Sequence, residues 1–90
     1  MALALSITTA FEKDLRRVER QGQDLDRLEE IVDLLQAQQP LPARCRPHAL
    51  RGNWSGHWDC HVKADWLLLY KVTETDLILV RTGSHAELFE

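Results

Sequence analysis

The order of apolar and polar residues at the start of the chain predicts a strand that leads directly into a helix. In "LALSIT", Leu3, Leu5 and Ile7 alternate with small or polar side chains, and a period of two is typical of a β-strand. The following "TAFE" is a Thr-x-x-Glu capping box, which predicts that a helix begins at Thr9. Phe11 and later apolar residues then recur at helical spacing.

A second helix is predicted shortly after the first. Gly22 ends the first helical pattern, since glycine readily adopts the backbone conformation of a helix C-terminus. Asp24 or Asp26 starts the next helix, and Pro40 and Pro42 bound it. Its apolar stripe consists of Leu25, Leu28, Ile31, Val32, Leu34 and Leu35. The short hinge predicts an antiparallel helical hairpin.

The second half of the chain predicts a loop and then three strands. Residues 41–56 show no clear period and contain turn-forming residues, so we interpret them as a loop. From residue 57 to residue 63, apolar and polar positions alternate, giving a strand with one histidine-bearing face. The apolar runs 64–72 and 77–82, separated by the turn "TETD", complete an antiparallel meander.

The predicted order is therefore β-α-α-β-β-β. We expect an α+β fold in which the helical hairpin packs on a mainly antiparallel twisted sheet. At 90 residues the chain has the size of one domain, spanning 1–90. No apolar run approaches the roughly 18 residues of a membrane span, and "MALALSITTA" lacks the basic leader of a signal peptide, so we expect a cytoplasmic protein.

Charge is distributed unevenly between the two halves. Residues 1–40 carry five basic and eight acidic side chains, whereas residues 41–90 carry six of each and all four histidines. The second half becomes cationic when its histidines are protonated. The net charge of −3 nevertheless argues against tight non-specific binding of nucleic acid.

The second half also collects side chains that transfer protons or bind phosphate. Asp59 and His61 are two positions apart and therefore share one face of a strand. Arg81 lies late in the last strand, and a turn at Gly83 and Ser84 is expected to bring His85 back beside it. The full set is His48, His57, Asp59, His61, Asp65, Arg81 and His85.

These residue types suit metal-independent cleavage of RNA. Histidine titrates near neutral pH, so one imidazole accepts the proton of a 2′-hydroxyl while another protonates the departing 5′-oxygen. The guanidinium of arginine stays protonated and binds two oxygens of a phosphoryl transition state.

Structural interpretations remain open for the same residues. His48 could be a loop histidine that caps a turn, and His57 could be an ordinary exposed histidine of a strand. Asp59 and Asp65 could form hydrogen bonds within turns or between strands. Arg81 could be a charged residue of an edge strand that prevents aggregation through that edge.

The tryptophans also have two interpretations. Trp66 suits the core as well as a base-stacking platform. Trp54 and Trp58 flank a loop rich in glycine, asparagine and serine, where an exposed indole serves for stacking or for a partner.

A structural metal site is the alternative chemistry. Cys45, His48, Cys60 and His61 offer soft ligands, but adjacent residues of a strand point to opposite faces, which does not fit a zinc motif. In the cytosol we expect the two cysteines to be reduced thiols rather than a disulfide.

Residues 48–89, "HALRGNWSGHWDCHVKADWLLLYKVTETDLILVRTGSHAELF", resemble the C-terminal half of YafQ-type toxins of the RelE/ParE superfamily. The shared pattern is a His-x-L-x-G loop, an Asp-x-His-x-x-x-Asp-Trp core, an apolar Tyr-Lys strand and an Arg-Thr-Gly-x-His-x-x-Leu-Phe ending. Residues 1–47 are similar only in their order of elements.

The resemblance implies the toxin of a type II toxin–antitoxin system. Such a toxin is a ribosome-dependent, metal-independent endoribonuclease that cleaves mRNA in the A site, beside 16S rRNA, and inhibits translation. The partners it implies are the ribosome, mRNA and a cognate ribbon-helix-helix antitoxin of the DinJ or RelB kind. No membrane and no small-molecule cofactor are implied.

The resemblance also implies roles for particular residues. His85 is expected to transfer a proton, most simply as the general acid, with His48 and His61 as base and phosphate contact. Asp65 is expected to order them, and Arg81 to stabilise the developing charge. Asp59, Trp66 and Phe89 are the expected substrate-binding residues.

Two other functions remain open at this point. A relative of ParE would poison gyrase and cut no message, although such chains lack this set of histidines. An inactive module would bind an antitoxin and use its tail only for structure.

Overall fold

The α+β class is confirmed by the computed structural model, which describes residues 2–89. A strand and two helices come first, followed by the remaining strands and a short C-terminal helix. The elements are β1 (Ala4–Ile7), α1 (Thr9–Arg20), α2 (Leu25–Gln36), β2 (His48–Ala49), β3 (Trp58–Lys63), β4 (Trp66–Val72), β5 (Asp76–Gly83) and α3 (His85–Phe89).

The strands form one mainly antiparallel sheet in the order β1-β5-β4-β3-β2. Only the β1–β5 pair is parallel among these strands. The predicted meander therefore forms the centre of the sheet. The prediction missed β2, which adds an edge strand from within the loop, and α3, which follows β5. It also missed two short 3₁₀ helices in the loop, Ala43–Cys45 and Gly52–Trp54.

Helix α1 begins at Thr9 as predicted, but a different residue caps it. The N-cap is Thr8, not Thr9, because the Thr8 hydroxyl oxygen accepts the Phe11 backbone N–H at 3.0 Å. That hydroxyl also donates to the Val80 carbonyl at 2.7 Å, which joins the helix start to β5. At the other end Gly22 has φ +81°, so this position uses the conformational freedom of glycine as predicted.

Apolar residues cover both faces of the sheet. Helices α1 and α2 pack on one face, where Phe11, Val18 and Ile31 meet Leu68 and other residues of the main core. On the opposite face, a smaller cluster forms around Leu67, Leu69 and Leu88, with Leu50, Trp54 and Val80 beside it. The central strand β4 is buried on both faces, which explains its unbroken apolar run.

Trp66 lies in the main core and is 1% exposed. Its indole N–H donates to the Thr82 hydroxyl at 2.8 Å, and that hydroxyl donates to the Leu67 carbonyl, also at 2.8 Å. This relay fixes the end of β5 against the start of β4, immediately before the C-terminal turn.

Trp66→Phe is expected to lower the free energy of unfolding by about 1–3 kcal/mol, since the buried Thr82 hydroxyl then lacks its donor. Trp58→Phe is the matched control, because Trp58 is 41% exposed. Urea denaturation of both variants measures the difference, and equal losses in the two would contradict the role of the relay.

Candidate functional site

The strand register aligns several predicted site residues on the sheet face opposite α1 and α2. His48 pairs with Asp59, Asp59 with Leu69, and Leu69 with Arg81, so these four residues form one row across the sheet. Directly paired residues share a face, and Leu69 belongs to the smaller apolar cluster on that side. His61, two positions after Asp59, lies in the next row.

Asp59 is a buried carboxylate that lies beside His48. Its side chain is buried, and its charge interacts with His48, His61 and His85. Burial raises the pKa of Asp59 above its ordinary value, and the three imidazoles oppose this rise. The strand thus brings together histidines that are up to 37 positions apart in the sequence.

His48 is held at both of its ring nitrogens. Nδ1 lies 3.1 Å from the Arg46 carbonyl, which can only accept, so Nδ1 carries a hydrogen. Nε2 lies 2.9 Å from Asp59 Oδ1. Oδ1 receives no aligned hydrogen bond from residues 2–89, so we treat this contact as electrostatic. Both ring nitrogens of His48 thus face groups of the chain itself, which fixes the orientation of the imidazole.

His85 begins α3 and lies beside Asp65, in the turn between β3 and β4. The His85 backbone N–H donates to Asp65 Oδ1 at 3.2 Å, and His85 Nδ1 lies 3.6 Å from the same oxygen. The imidazole of His85 is 6.4 Å from that of His61 and 5.7 Å from the ring of Phe89, between centroids. The His85 side chain is 60% exposed, so solvent and a ligand can reach it.

Arg81 does not point at His85 as the C-terminal turn led us to expect. Its guanidinium makes two hydrogen bonds to Asp14 of α1, through Nε to Oδ2 and through Nη2 to Oδ1. The turn at Gly83 instead leads His85 toward Asp65. Arg81 can reach α1 because β1 pairs with β5 only as far as Leu79, so β1 does not cover the edge of β5 at Arg81.

Asp14 is the functional-site neighbour that sequence reasoning missed. It is 3% exposed and accepts hydrogen bonds from Arg81, from Arg17 at 3.0 Å and from the Thr82 backbone N–H at 3.2 Å. Burial acts to raise its pKa, but the bonds from Arg81 and Thr82 outweigh burial, and the pKa of Asp14 is lowered. The available signal was a carboxylate three positions after Phe11, on the apolar face of α1.

Burial changes the roles expected for two substrate-binding residues. Trp66 is 1% exposed and Asp59 is 3% exposed, so neither presents a surface to a ligand. We revise both to supporting roles. Phe89 remains 39% exposed, with its ring 6.3 Å from Trp54 and next to His85, and can both stack and brace the tail.

Asp59→Asn is expected to change the pH dependence of stability. Because the folded chain holds the Asp59 proton more tightly than the unfolded chain, the free energy of unfolding falls as pH rises from 3.8 through the raised pKa. The asparagine variant lacks this decline, so its stability relative to the parent improves with rising pH. Denaturation of both chains between about pH 4 and pH 7 measures the gap, and a constant gap would contradict the assignment.

The four residues considered as metal ligands are divided between the two sheet faces. Cys45 and Cys60 are buried free thiols in the main core, while His48 and His61 lie on the other side. Burial raises the pKa of Cys60 to about 12, so this thiol is unreactive. Within residues 2–89, no three His, Cys, Asp or Glu side chains are grouped as a metal site. None of the described helices is long and apolar enough to cross a bilayer.

A helical hairpin on a mainly antiparallel sheet, with histidines along the opposite face, is the architecture of the RelE-like class of toxins. Residues 3–90 match the family model described as bacterial toxin of type II toxin–antitoxin system, YafQ. The chain belongs to this family.

Individual relatives agree with the family assignment. The mRNA interferase toxin YafQ of Escherichia coli strain K12 is 40% identical over 80 residues, which cover 88% of this chain and 87% of the relative. The crystal structure of YafQ from E. coli strain BL21(DE3) superposes with a TM-score of 0.93 at 35% identity, covering 98% and 99% of the two chains. The crystal structure of the E. coli DinJ–YafQ toxin–antitoxin complex contains a chain that superposes with a TM-score of 0.92 at 35% identity, covering 100% of both chains.

Proposed function

We propose that residues 1–90 form one toxin domain that cleaves mRNA in the ribosomal A site and thereby inhibits translation. The observation that carries this proposal is one sheet face on which His48 lies 2.9 Å from the buried carboxylate of Asp59 and the rings of His61 and His85 lie 6.4 Å apart. The curated E. coli relative is named an mRNA interferase, which supports the same reaction.

The base in the proposed reaction is His61, because the two ring nitrogens of His48 already face the Arg46 carbonyl and Asp59. His61 removes the 2′-hydroxyl proton, and the 2′-oxygen then attacks the adjacent phosphorus. His48, one row away on the same sheet face, is proposed to lie beside the phosphate.

The acid in the proposed reaction is His85. It gives its proton to the 5′-oxygen as the bond from that oxygen to phosphorus breaks, which leaves a cyclic 2′,3′-phosphate and a 5′-hydroxyl. Asp65 orders the start of α3 and so the His85 ring. Arg81 is held by Asp14 through Nε and Nη2, so we propose that its remaining N–H groups face the phosphoryl oxygens. Phe89 stacks on a base or braces the tail.

The proposed partners are the ribosome with its 16S rRNA, mRNA and a cognate antitoxin. A relative with 35% identity has been crystallised as the DinJ–YafQ complex, so we propose a DinJ- or RelB-like ribbon-helix-helix antitoxin for this chain. The proposed location is the cytoplasm, where all these partners reside.

The test is cleavage of a defined message on programmed ribosomes, compared with the same message free in solution. Cuts confined to ribosome-bound message, with EDTA added after assembly and without loss of activity, are the expected result. Absence of cuts on intact ribosomes would overturn the proposal. Loss of cleavage in EDTA, with the ribosomes shown to be intact, would instead require a metal.

A further inference from the structure

A second charged cluster, outside the imidazole site, joins α1 to α3. Arg17 Nε lies 2.9 Å from Glu87 Oε2, and Arg17 Nη2 donates to the Thr82 carbonyl at 3.1 Å. Nε has no aligned hydrogen-bond acceptor among residues 2–89, so its contact to Glu87 is an ion pair rather than a hydrogen bond. Gln21 adds a hydrogen bond to Glu87 Oε2 at 3.1 Å.

Glu87 also holds the first turn of α3. The Ser84 backbone N–H donates to Glu87 Oε1 at 2.8 Å, and the Glu87 N–H donates to Ser84 Oγ at 3.2 Å. This is a capping box, and it encloses His85 between its two members. One carboxylate thus closes the turn that carries His85 and binds α1.

Arg17 and Glu87 both pack against Gly83. A Cβ at position 83 would lie 2.7 Å from Arg17 Nη2 and 2.9 Å from Glu87 Oε1. Both distances are shorter than carbon makes to such atoms, so a side chain here would push Arg17 and Glu87 away. The backbone, the arginine and the carboxylate therefore form one tightly packed unit.

Helix α3 depends on such contacts for its position. It has five residues, too few for a helix to be stable alone in water. Leu88 is its buried side chain, and the catalytic candidate His85 is 60% exposed and has little packing of its own. The location of the His85 ring is thus set by how firmly α3 is attached.

We propose that Arg17 and Glu87 are positioning residues that hold α3, and with it His85, in the geometry needed for proton transfer. The role of His85 rests on the proposed nuclease function, whereas the attachment of α3 does not. Misplacement of a reacting group by about 1 Å costs on the order of 100-fold in rate, so loosening α3 acts on turnover rather than on binding.

The test uses Arg17→Gln and Glu87→Gln, alone and together, with Arg16→Gln as the matched control. Glutamine at position 87 keeps the capping box and removes only the charge. Arg16 is exposed on the same helix. We expect each single variant to lower single-turnover cleavage by about 10- to 100-fold with KM nearly unchanged, the double variant to be no worse, and Arg17→Lys to recover part of the rate.

Amide hydrogen exchange of residues 85–89 is the second measurement, and it requires no activity. Faster exchange there in both single variants, with unchanged exchange in β4, supports the attachment even if the wild-type chain cuts no message. Exchange equal to that of wild type and of Arg16→Gln would overturn the proposal. Loss of activity in proportion to unfolded protein, with a normal rate per folded molecule, would overturn it as well.

Discussion

His85→Ala is expected to slow cleavage of ribosome-bound message by about 10²–10⁴-fold, because loss of a general acid leaves the 5′-oxygen to depart without a proton. The fold should survive, since the His85 side chain is 60% exposed and the contact that fixes α3 to Asp65 uses the backbone N–H. Single-turnover kinetics measures the rate, and circular dichroism and thermal unfolding verify the fold.

The matched control for this prediction is His57→Ala. His57 is half-buried in the loop before β3, with Nδ1 3.2 Å from the Trp54 carbonyl, and it has no part in the proposed reaction. Its variant should cleave within a few-fold of wild type when corrected for stability. A His85→Ala chain that still arrests growth and cuts ribosome-bound message would exclude His85 as the acid.

Asp14→Ala is expected to be the most destabilising change near the site, at about 2–4 kcal/mol. It leaves two guanidinium groups and the buried Thr82 backbone N–H without their carboxylate. Chemical denaturation measures the loss. Asp33→Ala, at an exposed position of α2, is the control and should change stability by less than about 1 kcal/mol.

Asp14→Asn is expected to change how the stability of the chain depends on pH. Because the folded pKa of Asp14 is lowered, its stabilising effect is present above its ordinary pKa of 3.8 and is lost as pH falls through the folded value. The wild-type chain should therefore lose stability in acid more steeply than the asparagine variant. Parallel acid-unfolding curves would show that Asp14 is not the carboxylate responsible.

Local patterns in the sequence were sufficient for most of the fold. The first strand and the helix end at Gly22 were predicted from neighbouring residues, and the structure confirms both, although Leu5 and Ile7 of that strand are exposed. Strand β2 has two residues, too few to show a period, and exists because His48 pairs with Asp59. Helix α3 did carry a local signal, the Ser84-x-x-Glu87 capping box, which the strand pattern before it obscured.

Only part of the candidate site could be predicted from local patterns in the sequence. Spacing of two placed Asp59 and His61 on one face, as the register confirms. Spacing does not report how deeply a side chain is buried, so the burial of Asp59 could not be predicted. Arg81 binds Asp14 across 67 positions, and a contact of that separation leaves no periodic trace in a single sequence.

The chemical identity of the cut ends tests the central claim most directly. Attack by the 2′-oxygen, with a histidine base and a histidine acid, produces a cyclic 2′,3′-phosphate, or the 3′-phosphate after its hydrolysis, and a 5′-hydroxyl. Message cut on programmed ribosomes, then analysed by mass spectrometry and by end-labelling with and without phosphatase, should carry these ends. A 3′-hydroxyl and a 5′-phosphate would contradict the account, because those ends require water rather than the 2′-oxygen as the nucleophile.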